Sequence, residues 1–505
     1  MPHTLAQLLA QLDTVPVARL IGEPTRQISV TDVTLDSRMA GPGVLFACRP
    51  GARVDGHDFA AAAVAAGSPA LLVERELDLP VPQLLVTSVA QAVGPVAAAV
   101  HGHPSEGLLL LGVTGTNGKT TTTYLLESIL RTAGHATGLV GTVQTLVAGE
   151  SVPGVRTTPE APDLQRLLAR MRAAGVTAAA MEVSSHGLSL GRVRGTRLAA
   201  AVFTNLSQDH LDFHADLEDY FAAKAKLFAP ELTALSVINV DDAWGRVLAG
   251  STATEIVRVS PTGAIAADVS AAEVVVGHDG STFTAVMPTG SLAVRTRLPG
   301  LFNVANALQA VAATTALGIA PEAAAAGVAA LRGVPGRMEP VEAGQPFSVL
   351  VDYAHTPDSV ENVLIAARGL TRGRVLVLLG CGGDRDRGKR PLMGRTAATL
   401  ADIAVLTSDN PRSEDPAAIL AAMVTGAREA GAAGRAARWH VQPDRRAAIA
   451  EILDEAGPGD VVVLAGKGHE PYQELASERV DFDDRLVARE ILAELGFGQR
   501  GDAEP

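Results

Sequence analysis

Residues Gly115-Thr116-Asn117-Gly118-Lys119-Thr120-Thr121 stand between an apolar run, Leu108 to Val113, and a helix-forming run, Thr122 to Leu130. A buried strand, a glycine turn, Lys-Thr and then a helix form the arrangement that cradles nucleotide phosphates. Glycines let backbone N–H groups approach phosphate oxygens, and the helix N-terminus adds partial positive charge. Lys119 is placed to reach the terminal phosphates and Thr120 to hold Mg²⁺. The loop is shortened, because Val113 stands where the strict pattern has its first glycine. A bare Gly-Lys-Thr also occurs by chance in loops. The strand before this one and the helix after it raise it above chance.

With 505 residues the chain is long for one core, and two to four domains are expected. Hydrophobic residues make up 47% and charged residues 19%, an ordinary globular balance. A net charge of −13 argues against general nucleic-acid binding. Two cysteines, Cys48 and Cys381, are no disulfide framework and fit a reducing cytosol. Met1 to Asp13 lacks the basic and apolar regions of a secretory signal. No uncharged apolar run reaches the ~20 residues that span a bilayer.

The first hundred residues mix short elements. Strands are expected at Val44 to Ala47 and Ala70 to Val73, and helices at Phe59 to Ala66 and Val89 to His101. His103-Pro104-Ser105-Glu106-Gly107 reads as a linker. Beyond it, strands and helices alternate. Ala178 to Val183, Leu198 to Thr204 and Leu235 to Val240 are strand-like, which means a parallel sheet with its site at the strands' carboxyl ends. Residues 255–298 read as shorter antiparallel strands, followed by a helix at Asn303 to Leu317. After a second break at Gly333 to Arg337, four buried strands are expected: Ser348 to Asp352, Val375 to Leu379, Ile403 to Thr407 and Val461 to Ala465. The tail from Gln499 is expected to fray.

Several polar clusters fall at strand ends. Glu182, in Met181-Glu182-Val183-Ser184-Ser185-His186, is placed to complete a Mg²⁺ site with Thr120. Thr204 to Asp212 packs Asn205, Asp209, His210 and Asp212 into one turn; a lone loop histidine is more often an ordinary hydrogen-bonded residue, but here a second metal site is in question. Lys224, in the helical Asp219 to Phe228, is by pattern alone a solvated helix lysine. Gly380 to Pro391 carries four basic residues after a strand and suits an anionic substrate. Asp409-Asn410-Pro411-Arg412 and Gly466-Lys467-Gly468-His469-Glu470 end two further strands, so three motifs face one crevice.

Together these motifs resemble the Mur ligase family of cell-wall amino-acid-adding enzymes. The residues that carry the likeness are Gly115 to Thr121, Glu182 to His186, Asn205 to Asp212, Leu301 to Ala307, Asp352 to Pro357 and Gly382 to Pro391; it runs from Leu35 to Glu470. The resemblance implies an α/β protein of three domains: a smaller N-terminal α/β domain that binds UDP (1–105), a central P-loop ATPase with a mainly parallel sheet (106–337), and a Rossmann-like C-terminal domain that binds the amino acid (338–505). It implies that Leu35 and Ser37 contact the UDP part of a nucleotide substrate, and Thr157, Thr158, Ser184 and Arg192 its muramoyl-dipeptide part. The family usually has Gln where this chain has Leu190, so that contact is not carried over. Asn303, Asn306, Asp352 and His355 match nucleotide-binding positions, beside Gly115 to Thr121.

Lys224 matches a lysine that the family carbamylates, to N6-carboxylysine, which turns a cation into an oxygen ligand for Mg²⁺. Thr120, Glu182, His210 and carbamylated Lys224 would then hold two ions, with Lys119, Lys224, His210 and Glu182 as the catalytic set. Asp409, Asn410, Pro411 and Arg412 match a motif that selects meso-diaminopimelate, Arg412 pairing with a carboxylate that lysine lacks; Arg390, Gly466 and Glu470 match further contacts. The implied activity is ATP-dependent amide ligation of meso-diaminopimelate to UDP-N-acetylmuramoyl-L-alanyl-D-glutamate through an acyl phosphate. The implied enzyme is a cytoplasmic monomer that uses ATP as co-substrate and Mg²⁺, with no nucleic-acid or membrane partner. The alternatives are the same ligation with L-lysine, or a P-loop ATPase switch.

Overall fold

A computed structural model describes residues 3–10, 19–22, 28–51, 54–152, 154, 156–277, 279–432, 437–476 and 478–498. The tail from Gln499 and part of Met1 to Asp13 lie outside the described residues. The N-terminal sheet has five strands in the order Arg19–Ile21, Gln83–Leu85, Leu71–Val73, Val44–Ala47 and Asp32–Thr34. Alternation along Val44–Ala47 sends Leu45 and Ala47 to one core, under the helix Val89–Val100, and Phe46 to another with Ala60 and Ala63. The expected linker at His103 to Gly107 is instead a tied corner. Pro104–Gly107 forms a 3₁₀ turn, and the buried Ser105 hydroxyl accepts from the Arg197 amide at 3.0 Å.

The central sheet has eleven strands, in the order Glu150–Val152, Thr145–Val147, Thr137–Val140, Ala178–Glu182, Leu109–Thr114, Leu198–Phe203, Thr233–Asn239, Glu255–Ser260, Val269–Gly277, Gly280–Met287 and Gly290–Thr296. The phosphate-loop strand lies between Ala178–Glu182 and Leu198–Phe203, parallel to both, with Glu182 opposite Val113. That register brings two of the expected strand-end motifs beside the loop. Residues 255–298 differ from expectation. Glu255–Ser260 pairs parallel to Thr233–Asn239, and antiparallel pairing begins only between Val269–Gly277 and Gly280–Met287. These strands continue the main sheet because they share its core: Val259, Ala271, Phe283 and Val294 pack with Val304, Leu308 and Val311 of the helix Leu301–Ala316.

The C-terminal sheet runs Glu339–Pro340, Ser348–Asp352, Val461–Ala465, Val375–Cys381, Ile403–Ser408 and Arg438–Val441, parallel except at the first pair. The four expected strands are present. Arg438–Val441 was not anticipated, because this mostly exposed edge strand, Arg-Trp-His-Val, has no apolar run. Beneath the strand ends Arg445 and Asp484 form a fully buried ion pair at 2.8 and 2.6 Å. The same guanidinium donates to the carbonyls of Ala465 (3.0 Å) and Ser408 (3.3 Å), the residues just before Gly466 and Asp409.

Two glycines of the phosphate loop have backbone conformations that favour glycine. Gly115 has φ 148° and Gly118, the N-cap of the helix Lys119–Thr132, has φ 86°. A Cβ on Gly118 would lie 2.4 Å from the Asn306 side-chain oxygen. Gly118→Ala is therefore expected to cost about 1–3 kcal/mol in stability, read as a lowered denaturation midpoint. Arg445→Ala is expected to cost about 3–5 kcal/mol, because it leaves Asp484 charged and buried without a partner. Arg446→Ala, which removes only exposed ion pairs to Glu490 and Glu494, should change the midpoint little.

Candidate active site

The phosphate loop is closed on itself by lysines. The Gly115 carbonyl accepts from Lys119 Nζ at 2.9 Å and from Lys224 Nζ at 2.7 Å, and the Thr116 carbonyl accepts from Lys119 at 2.8 Å. Lys224 comes from the helix Leu217–Ala225, is 1% exposed, and lies over the Tyr220 ring at 4.5 Å. Burial, and then the charge of Lys119, push its amine well below the usual lysine range. Burial lowers Lys119 as well. Lys224 is thus no solvated helix lysine, because tertiary packing turned its face of the helix inward.

Glu182 is buried, and its carboxylate accepts from the Thr120 hydroxyl at 3.1 Å, as expected from the two motifs. It also accepts from the Thr142 amide (2.8 Å) and hydroxyl (3.0 Å), a residue that no motif singled out. Arg337 donates to the Thr120 hydroxyl at 3.0 Å and stacks over Tyr353 at 4.6 Å. His210 has a left-handed backbone, φ 57°, and packs edge-on against His186 with ring centroids 4.8 Å apart. Burial brings its imidazole down to about 3, so the ring is neutral at physiological pH. Its charged neighbour is Asp209, at 3.4 Å.

Asp209 is 4% exposed and is also approached by Lys389 (3.3 Å) and His355 (3.7 Å), both from the C-terminal body. Burial alone would raise its pKa, but Lys389 and His355 more than offset this and hold it well below the usual carboxylate range. Asn117 of the loop donates to Asp358 at 2.6 Å, a second link across the same junction.

Glu182, His210 and Lys224 line one cavity of about 260 Å³ with the phosphate loop. Among the described residues no group of three or more His, Cys, Asp or Glu side chains could hold a metal ion. The Thr120 hydroxyl and Glu182 carboxylate are hard oxygen donors that fit Mg²⁺, an ion that keeps several waters. A second ion near His210 would need Lys224 to become an oxygen ligand. Of the expected nucleotide residues, Asn306, Asp352 and His355 line the cavity. Asn303 stands behind: its Oδ1 accepts from the Asn306 side-chain Nδ2 at 3.1 Å and its Nδ2 donates to the Pro299 carbonyl at 2.8 Å. Burial raises the Asp352 carboxyl.

Leu35 and Ser37 line a separate cavity of about 990 Å³ between the N-terminal body and the central one, whose Arg156, Glu160 and Arg166 also line it. Thr157 joins Thr142 at 2.9 Å, beside Glu182. Thr158 is fully buried, donates to the Glu182 carbonyl at 3.1 Å and accepts from the Ser184 amide at 3.0 Å. Arg192 donates to the Thr158 carbonyl at 3.2 Å and pairs with Glu160 at 2.9 Å. Glu160 also meets Arg49 of the N-terminal body (2.8 Å) and Arg156 (2.5 Å). This three-arginine cluster has no local signature, since Arg49 is 111 positions from its partner.

A third cavity, about 790 Å³, is lined by Asp409, Asn410, Arg412, Gly466 and Glu470. Arg390 is buried against Glu414 at 2.7 Å. Asn410 donates to Glu470 at 2.7 Å, and Tyr353 to the same carboxylate at 3.4 Å. Burial and the nearby Asp409 push the Glu470 carboxyl up. Pro411 does not line the cavity; its carbonyl accepts from the Glu414 amide at 3.1 Å. The phosphate-loop cavity and this one share Thr142, Thr157, Asp209, His210, Tyr353 and His355 as a common wall.

The chain matches three family models: Mur ligase family, catalytic domain (residues 29–103), Mur ligase middle domain (113–314), and Mur ligase, glutamate ligase domain (336–468). It is 50% identical to a UDP-N-acetylmuramoyl-L-alanyl-D-glutamate–2,6-diaminopimelate ligase of Streptomyces avermitilis, over 96% of this chain and 97% of that protein. A solved ligase of that same description is 34% identical, with a TM-score of 0.69 over 98% of this chain and 100% of the other. The MurF ligase of Thermotoga maritima, solved in complex with ADP, shares the fold at 17% identity and a TM-score of 0.62, over 92% of this chain and 97% of that one. With its phosphate loop, the paired Thr120 and Glu182, and this full-length likeness, the chain belongs to the Mur ligase family.

Proposed function

We propose that this protein is an ATP-dependent amide ligase that joins meso-diaminopimelate to UDP-N-acetylmuramoyl-L-alanyl-D-glutamate, for peptidoglycan precursor synthesis. The common wall between the phosphate-loop cavity and the Arg412–Glu470 cavity carries the reading, because it lets phosphate chemistry and an incoming amine meet. The D-Glu γ-carboxylate attacks the γ-phosphorus of ATP, giving an acyl phosphate and ADP. The diaminopimelate amine then attacks the acyl carbon, loses a proton, and phosphate leaves. Lys119, beside the loop carbonyls, offsets charge on the transferred phosphoryl group. Thr120 and Glu182 would hold Mg²⁺, which offsets the same charge when bound.

Lys224 suits carbamylation. Only a neutral amine attacks CO₂, and burial pushes this one toward its neutral form. As a carbamate it would present oxygen toward His210 and the loop. Arg412 and Glu470 suit the carboxylate and ammonium of the distal end of diaminopimelate. Leu35 and Ser37 take the UDP part, and Thr157, Ser184 and Arg192 the peptide part. We divide the chain at 1–105, 106–337 and 338–505 accordingly. We read the enzyme as a cytoplasmic monomer; no helix among the described residues is long and apolar enough to cross a membrane.

ADP release with the UDP-linked dipeptide should be fastest with meso-diaminopimelate. L-lysine and L-ornithine should fall about 10- to 100-fold in kcat/KM, the worth of one charge-assisted pair. Equal turnover of lysine would overturn the role of Arg412, and no ADP release with all substrates and Mg²⁺ would overturn the reaction. Lys119→Met should lower kcat on the order of 10²–10³-fold with little change in KM for the amino acid, measured in the same assay.

A further inference from the structure

We propose that Glu474 is a specificity-positioning residue: it aims the Arg412 guanidinium at the distal carboxylate of the incoming diamino acid. This inference deepens the reading of Arg412 above and rests on it. Glu474 lies on a small antiparallel hairpin, Tyr472–Glu474 with Arg479–Asp481, which no sequence motif indicated.

The hairpin's first strand docks on Asp409 to Arg412 through four hydrogen bonds. The Arg412 amide donates to the Glu474 carbonyl at 3.0 Å, and the Glu474 amide to the Asn410 side-chain oxygen at 2.9 Å. Gln473 donates to the Asp409 carbonyl at 2.7 Å, and Arg412 Nε to the Glu474 carboxylate at 2.9 Å. Buried Lys467 bridges the two segments, donating to the Tyr472 carbonyl and to the Asn410 side-chain oxygen. Strand and motif therefore behave as one unit. Arg412 has φ 52°, a conformation an arginine keeps only where its surroundings hold it.

The guanidinium itself is clamped. Its Nε is taken by Glu474 and its Nη1 donates to the Gly383 carbonyl at 2.8 Å; its Nη2 has no protein partner among the described residues. A carboxylate cannot then take the Nε–Nη2 side in a bidentate pair and meets the guanidinium through Nη2. Arg412 is 20% exposed and lines the cavity. Glu474 is 44% exposed and does not, so it acts on the ligand only through Arg412. An ion pair this exposed adds little stability. What it removes is the rotational freedom of a long side chain, the freedom that weakens an unpositioned arginine as a ligand.

The test is steady-state kinetics and thermal melting of wild type, Glu474→Ala, Glu474→Gln and Arg412→Ala. Glu474→Ala should raise KM for meso-diaminopimelate about ten- to a hundredfold and narrow its preference over L-lysine, with KM for ATP and for the UDP-linked dipeptide unchanged. Glu474→Gln, which keeps an acceptor at the same reach, should restore most of the loss. Melting temperatures should stay close to wild type. If Arg412→Ala abolishes the preference and Glu474→Ala leaves it intact, the inference fails and the reading of Arg412 stands. If Glu474→Ala raises all three KM values or lowers the melting temperature markedly, its role is structural and the inference fails. If Arg412→Ala keeps the preference, the reading itself fails and takes the inference with it.

Discussion

One carbonyl, that of Gly115, receives two buried amines, Lys119 at 2.9 Å and Lys224 at 2.7 Å. Two positive charges held on one carbonyl, out of water, repel each other. Burial and the charge of Lys119 push the Lys224 amine well below the usual lysine range, and burial lowers Lys119 too. The neutral form of Lys224 would be a nucleophile, while the charged form of Lys119 would suit an anion at the loop. Gly115 makes the arrangement possible: its φ of 148° turns the carbonyl, and a Cβ there would sit 1.9 Å from the Thr204 hydroxyl.

The rest of the site is an arrangement of strand ends around that loop. Parallel register sets Glu182 opposite Val113, which carries its carboxylate to Thr120. The C-terminal body closes over it through polar contacts: Asp209 with Lys389 and His355, Asn117 with Asp358, and Arg337 with Thr120. Buried charges of this kind are costly unless paired, so Asp209 is well served only when the two bodies meet. In this arrangement the site is assembled from both bodies, through Asp209, Asn117 and Thr120.

The phosphate loop, the parallel strands and the strand-end motifs were legible because each is carried by contiguous residues. Apolar runs announced Ala178–Glu182 and Val461–Ala465. Arg438–Val441 was missed because an exposed edge strand needs no apolar run, and residues 255–298 were misjudged because pairing direction is set by the neighbours and not by the strand. Thr142 and Glu474 left no trace in local pattern. Each matters through one partner, Glu182 or Arg412, that lies 40 or 62 positions away.

By itself the sequence determined that a strand, a glycine turn and a helix opening on Lys-Thr follow one another around Gly115 to Thr121 and that basic and acidic motifs stand at the ends of several strands, because backbone conformation and periodicity are local properties. Which of those motifs share a wall was decided only by the tertiary structure. Lys224 reads as a surface lysine until the fold buries it, and Arg412 as a loop cation until the hairpin clamps it. Burial and approach set the charge and aim of a side chain, and both depend on residues far along the chain.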